Sequence, residues 1–92
     1  MAISKDLQVT FVTDPDLSGS KEFLNLLTVV PNAQIINFYT MDMTELAFIA
    51  KHRILPANTI LIMSGSKVVC RIVNKQLKKA TFKKLLKDLQ ND

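Results

Sequence analysis

Ninety-two residues, 48% of them apolar, suffice for one hydrophobic core and not two, so the chain reads as a single ordered domain. Its one cysteine, Cys70, excludes an intrachain disulfide framework and a two-thiol metal site, and no stretch approaches the roughly 20 apolar residues of a membrane span. The net charge of +4 is polarised: residues 1–64 carry four basic against six acidic groups, residues 65–92 eight against two. Such polarity bears on partners and not on fold.

Met1–Asp6 lacks the charged start and apolar run of a signal peptide, which together with a free thiol points to the cytosol. Leu7–Val12 alternates apolar and polar residues as a half-buried strand does, and Thr13-Asp14-Pro15-Asp16 ends it. Ser18 or Ser20 can cap a helix, with Glu22 in its positive first turn. Its apolar stripe is Phe23, Leu26, Leu27 and Val30, stopped by Pro31-Asn32.

Gln34–Tyr39 is a second strand, with Ile36 and Phe38 on one face. Asp42 and Glu45 have capping-box spacing ahead of a second helix, whose buried stripe is expected to be Leu46, Ile49 and Ala50. His52 and Arg53 suit the negative end of that helix, which must close before Pro56. Thr59–Met63 is an almost wholly apolar strand, as when both faces are covered. Ser64-Gly65-Ser66 then turns the chain into Val68–Val73, making a hairpin. Thr81 is expected to cap a last helix, with Phe82, Leu85, Leu86 and Leu89 inward and Lys83, Lys84 and Lys87 outward. Helices one and three should cover one face of the sheet, and helix two the other.

The order β-α-β-α-β-β-α resembles the thioredoxin-like superfamily in its minimal, glutaredoxin-like form. The resemblance runs from Leu7 to Leu89 and is carried by Asp42, Glu45-Leu46-Ala47, Ile54, Thr59-Ile60-Leu61-Ile62, Gly65, Val68-Val69 and the terminal Phe82-Lys83-Lys84-Leu85-Leu86. It implies an α/β fold with a four-stranded mixed sheet and helices on both faces. The family's Cys-x-x-Cys position corresponds to Asp16–Lys21, where no cysteine stands, and Leu17 is nearest to the first thiol. Disulfide exchange needs an attacking thiolate and a second thiol to resolve the intermediate, so neither a dithiol nor a monothiol mechanism is open. The family's cis-proline position is taken by Asn58, unless the alignment shifts to Pro56. A cis bond before a non-proline residue costs about 2.5–4 kcal/mol, so the bond into Asn58 is expected to be trans.

Several side chains compete for a functional role. Cys70 is expected to lie mid-strand in register with Val68 and Ile72, as a small buried hydrophobe with Arg71 pointing the other way; an enzyme using this lone thiol is the rival reading. His52 has no indicated nucleophile or orienting carboxylate, so a helix-end role fits it. Asp14, Asp16 and Asp42 follow the carboxyl ends of adjacent strands, where oxygens can hold a hard cation, yet each also suits a turn or cap. Lys75, Lys78, Lys79, Lys83, Lys84 and Lys87 offer a basic patch for nucleic acid or another anionic partner, without interleaved aromatics for base stacking. The resemblance implies a groove made here by Leu17, Ser18, Gly19 and Ser20 opposite Ala57, Asn58 and Thr59. The reading favoured is a redox-inactive module that binds another protein, with no cofactor, no metal and no membrane.

Overall fold

The computed structural model describes residues 7–16, 20–73 and 77–90. Four strands, β1 (Leu7–Thr13), β2 (Gln34–Asn37), β3 (Thr59–Ser64) and β4 (Lys67–Val73), make one sheet in the order β2-β1-β3-β4. β1 pairs in parallel with β2, as a strand–helix–strand crossover requires, and antiparallel with β3, which pairs antiparallel with β4. Three helices, α1 (Ser20–Asn25), α2 (Met43–Lys51) and α3 (Lys79–Gln90), complete the expected order.

Alternation along the central strands splits the core in two. Val9, Phe11, Ile60 and Ile62 face α1 and α3, where Phe23, Leu26 and Phe82 meet them. Val12, Leu61 and Met63, joined by Ile36, face α2 and its Ile49. Phe11 is fully buried and touches two aromatic rings edge-on, Phe23 at 5.3 Å and Phe82 at 6.0 Å between centroids.

The first helix is shorter than its stripe predicts. After Asn25 the chain tightens into a 3₁₀ turn over Leu26–Thr28, and the Val29 and Val30 amides donate to Leu26 and Leu27. Three β-branched residues ahead of Pro31 disfavour continued α-helix, and the Thr28 hydroxyl donates to the Asn25 carbonyl at 2.9 Å. The stripe still reaches the core. β2 also stops early, at Asn37, whose Oδ1 accepts the Tyr39 amide at 2.8 Å and turns the chain.

The capping box on α2 is present in both directions: the Glu45 amide donates to Asp42 Oδ1 at 2.8 Å, and the Asp42 amide to Glu45 Oε1 at 3.0 Å. The buried stripe is a correction. Ile49 and Phe48 face the core, whereas Leu46 and Ala50 are exposed. Every residue from Leu46 to Ala50 is apolar, so helical spacing fits more than one stripe; the helix end selects this one. The Ile54 amide donates to the Ile49 carbonyl and the Arg53 amide to that of Ala50, a Schellman closure that packs Ile54 into the same cluster as Ile49.

At the hairpin, Gly65 alone of the two turn residues has positive φ, at 61°, which fits a type II′ turn. A bulge in β4 then changes the expected facing. Ile62 pairs with Cys70 but Met63 pairs with Val68, leaving Val69 as the extra residue. Val68 therefore joins the α2 side, while Cys70 and Ile72 join the cluster on the opposite face, with Phe23 and Phe82; the register expected for Cys70 holds with Ile72 only. α3 starts two residues before Thr81. The Phe82 amide donates to the Lys78 carbonyl, and Leu77 and Phe82 belong to one apolar cluster, as in a hydrophobic staple that sets the entry of the chain. Its stripe is as expected: Phe82 is fully buried, and Leu85, Leu86 and Leu89 pack around it.

Candidate functional site

The strand registers bring the ends of β1, β2 and β4 and the start of β3 to one edge of the molecule: Thr13 lies beside Asn37, Val12 beside Thr59, and Thr59 beside Val73. Of the groove residues, Leu17, Ser18 and Gly19 lie outside the described residues, as does Lys75 of the basic patch. Ser20 opens α1, so it stands inside the helix and not ahead of it.

Ala57, Asn58 and Thr59 form the floor of this end and are all buried. Asn58 is 5% exposed, and its Oδ1 accepts the Asp14 amide at 3.0 Å and the Thr13 hydroxyl at 3.3 Å. No cis peptide bond occurs among the described residues, so the bond into Asn58 is trans as expected, and the shifted assignment of a cis role to Pro56 is overturned. The Asn58 amide thus ties the β3 entry to the end of β1. Leu55, 76% exposed, stands out beside this floor.

The acidic residues serve turns and caps. Asp14 Oδ1 accepts the Asp16 amide at 3.1 Å, and Asp42 is spent on its capping box. Asp16 accepts the Tyr39 hydroxyl, a link between the β1 and β2 loops that the sequence did not signal. Among the described residues no group of three His, Cys, Asp or Glu side chains is placed to hold a metal ion.

The Asp16 hydrogen bond, with partial loss of hydration and the negative charges of Asp16 and Asp14, pushes the Tyr39 phenol up to about 12. Tyr39 is the only tyrosine and there is no tryptophan, so phenolate absorbance reads this group alone. An alkaline titration is expected to show a midpoint near 12, falling towards the ordinary value of about 10 in Asp16→Asn. The stability contributed by the neutral phenol is full below the unfolded value and is lost as pH rises through the folded one. A wild-type midpoint at the ordinary value would show that the contact is absent in solution.

His52 caps α2, its ring 4.6 Å from that of Phe48. His52 stands at the helix end as expected, and loss of hydration, then the charges of Lys51 and Arg71, lower its pKa. Arg71 adds a cation at the same helix end, donating to the His52 carbonyl at 2.7 Å. Cys70, expected to be buried, is only half-buried against the cluster around Phe11, three residues inside the end of β4. Lys78, Lys79, Lys83, Lys84 and Lys87 are all exposed.

No family model and no curated protein matches the chain. Solved structures do. The chain is similar to Trxlp of Edwardsiella tarda, with a TM-score of 0.68 at 15% identity over 91% of this chain and 84% of that one. A mutant thioredoxin of Halobacterium salinarum superposes with a TM-score of 0.67 at 11% identity, covering 96% and 78% of the two chains. The thioredoxin of Trypanosoma brucei brucei gives 0.62 at 18% identity, covering 98% and 80%. The chain thus has the thioredoxin-like fold, without a Cys-x-x-Cys anywhere in its sequence. No described helix is long and apolar enough to cross a membrane.

Proposed function

We propose that this chain is a redox-inactive thioredoxin-like module, cytosolic, that binds an extended segment of another protein at the end of the sheet floored by Ala57–Thr59, with Leu17–Ser20 assigned to the same site from the sequence resemblance. The observation that carries the reading is Asn58. Its buried amide is committed to Thr13 and Asp14 at the place where the family would present a proline to its thiols. The only thiol supports the same reading, since it sits in β4, half-buried against the apolar cluster around Phe11. Reduction of insulin by dithiothreitol should run no faster with the protein than with buffer. Turnover that disappears in Cys70→Ser would refute the proposal. Partner capture should be lost in Leu17→Arg and Ser18→Arg while the fold is kept; an unchanged captured set would sink the groove assignment.

The exposed lysines favour a second reading, in which α3 meets an anionic partner. Lys79 occupies its positive first turn, which carries no acidic residue. This reading requires oligonucleotide binding that weakens steeply with salt.

A further inference from the structure

Charge is sorted across the end of the sheet that holds the candidate site. Asp14, Asp16 and Tyr39 gather at the β1–β2 side, whereas Arg53 and Arg71 stand at the β3–β4 side. Apart from the bond from Arg71 to the His52 carbonyl, neither guanidinium has a hydrogen-bond or ion-pair partner among the described residues. Arg53 holds a left-handed backbone, φ 53°, at the helix-closing position where glycine is free of strain. Strain of this kind at an exposed position directs attention to what the Arg53 side chain can contact.

Between the loop after α2 and the strands lies a cleft of about 100 Å³, lined by Arg53, Leu55, Ala57, Thr59, Arg71 and Val73. That volume is well below the roughly 300–1,000 Å³ of pockets that enclose small ligands, so it admits the tip of one side chain and not a cofactor. Leu55 and Val73, 76% and 43% exposed, give it an apolar rim, and β4 is an edge strand that leaves the cleft open on one side.

We propose that this cleft receives an aspartate or glutamate side chain on an extended, otherwise apolar segment of a partner protein, the carboxylate meeting Arg53 and Arg71 and its neighbours resting on Leu55 and Val73. The inference rests on the reading that the chain acts by protein contact, and it adds the chemistry of the partner. Guanidinium groups suit carboxylates because their planar donors match two oxygens at once. Nucleic acid fits less well, because the lining offers no aromatic face for a base and its rim is aliphatic.

The test is an amide NMR titration with a hexapeptide of alternating glutamate and leucine, beside a lysine–leucine hexapeptide and a thymidine oligonucleotide. Saturable shifts are expected at Arg53–Thr59 and Arg71–Val73 with the acidic peptide alone. Arg71→Gln should weaken binding about tenfold or more. Arg53→Gly removes the guanidinium while relaxing the backbone, so it should lose affinity without losing the fold. Lys83→Gln with Lys87→Gln should change affinity less than about twofold. Absence of saturable shifts, equal binding of the basic peptide, preference for the oligonucleotide, or arginine variants that bind as wild type would each overturn the proposal. Acidic-peptide binding that survives while Leu17→Arg leaves partner capture unchanged would overturn the groove reading instead and spare this one.

Discussion

Phe11→Ala is expected to destabilise the protein by about 3–5 kcal/mol, the usual range for emptying a buried phenylalanine site. Small domains carry about 5–15 kcal/mol in all, so the variant should be near the limit of folding. Phe11 is fully buried on β1 and its ring meets one ring from α1 and one from α3, so truncation opens a void where strand and both helices converge. For a chain of this length each kcal/mol moves Tm by about 4–8 °C, which predicts a fall of at least about 12 °C. Leu55→Ala, at a side chain left mostly in solvent, should stay within about 0.5 kcal/mol of wild type. Thermal melts of the two variants separate a core defect from a general sensitivity; a Phe11→Ala melt within a few degrees of wild type would contradict the packing described.

The pattern of apolar residues was enough to place all four strands, all three helices and the face that each helix covers, because burial on a sheet and on a helix imposes distinct periods. It failed where two solutions share one period. Along α2, Leu46 and Ala50 fit a helical stripe as well as Phe48 and Ile49 do, and the choice was made by Ile54, which closes the helix end into the core. In β4, strict alternation put Cys70 with Val68, and one bulged residue, Val69, reversed that parity. Neither event leaves a local signal, since a bulge or a Schellman closure is settled by what packs against it.

Much less of the candidate site was legible. The missing Cys-x-x-Cys and the asparagine ahead of Thr59 can be read directly, because they are identities. What Asn58 does depends on Thr13 and Asp14, more than forty residues away in sequence, which only the β1–β3 pairing brings near. The union of Arg71 with the end of α2, 19 residues apart, is likewise a product of topology. Spacing along the chain cannot report such contacts.

Asn58→Ala tests that tie directly. Its loss takes the acceptor from the Asp14 amide and from the Thr13 hydroxyl, at a position only 5% exposed. Leaving buried donors without their partner costs about 1–3 kcal/mol, so a Tm fall of about 4–24 °C follows. The two bonds should not count equally. At 3.0 Å the Asp14 amide makes the better contact, and the 3.3 Å hydroxyl contact is longer than the roughly 2.5–3.0 Å usual for an O–H donor. Thr13→Val, which removes only the second, should therefore cost less than Asn58→Ala, on the order of 0.5–1.5 kcal/mol. In the double variant the two losses should sum to less than their separate values, because they share one interaction. Chemical denaturation of the four proteins measures that difference. Full additivity would mean that Thr13 and Asn58 do not act together, and the amide would then have to be explained by something other than fastening the β3 entry to the end of β1.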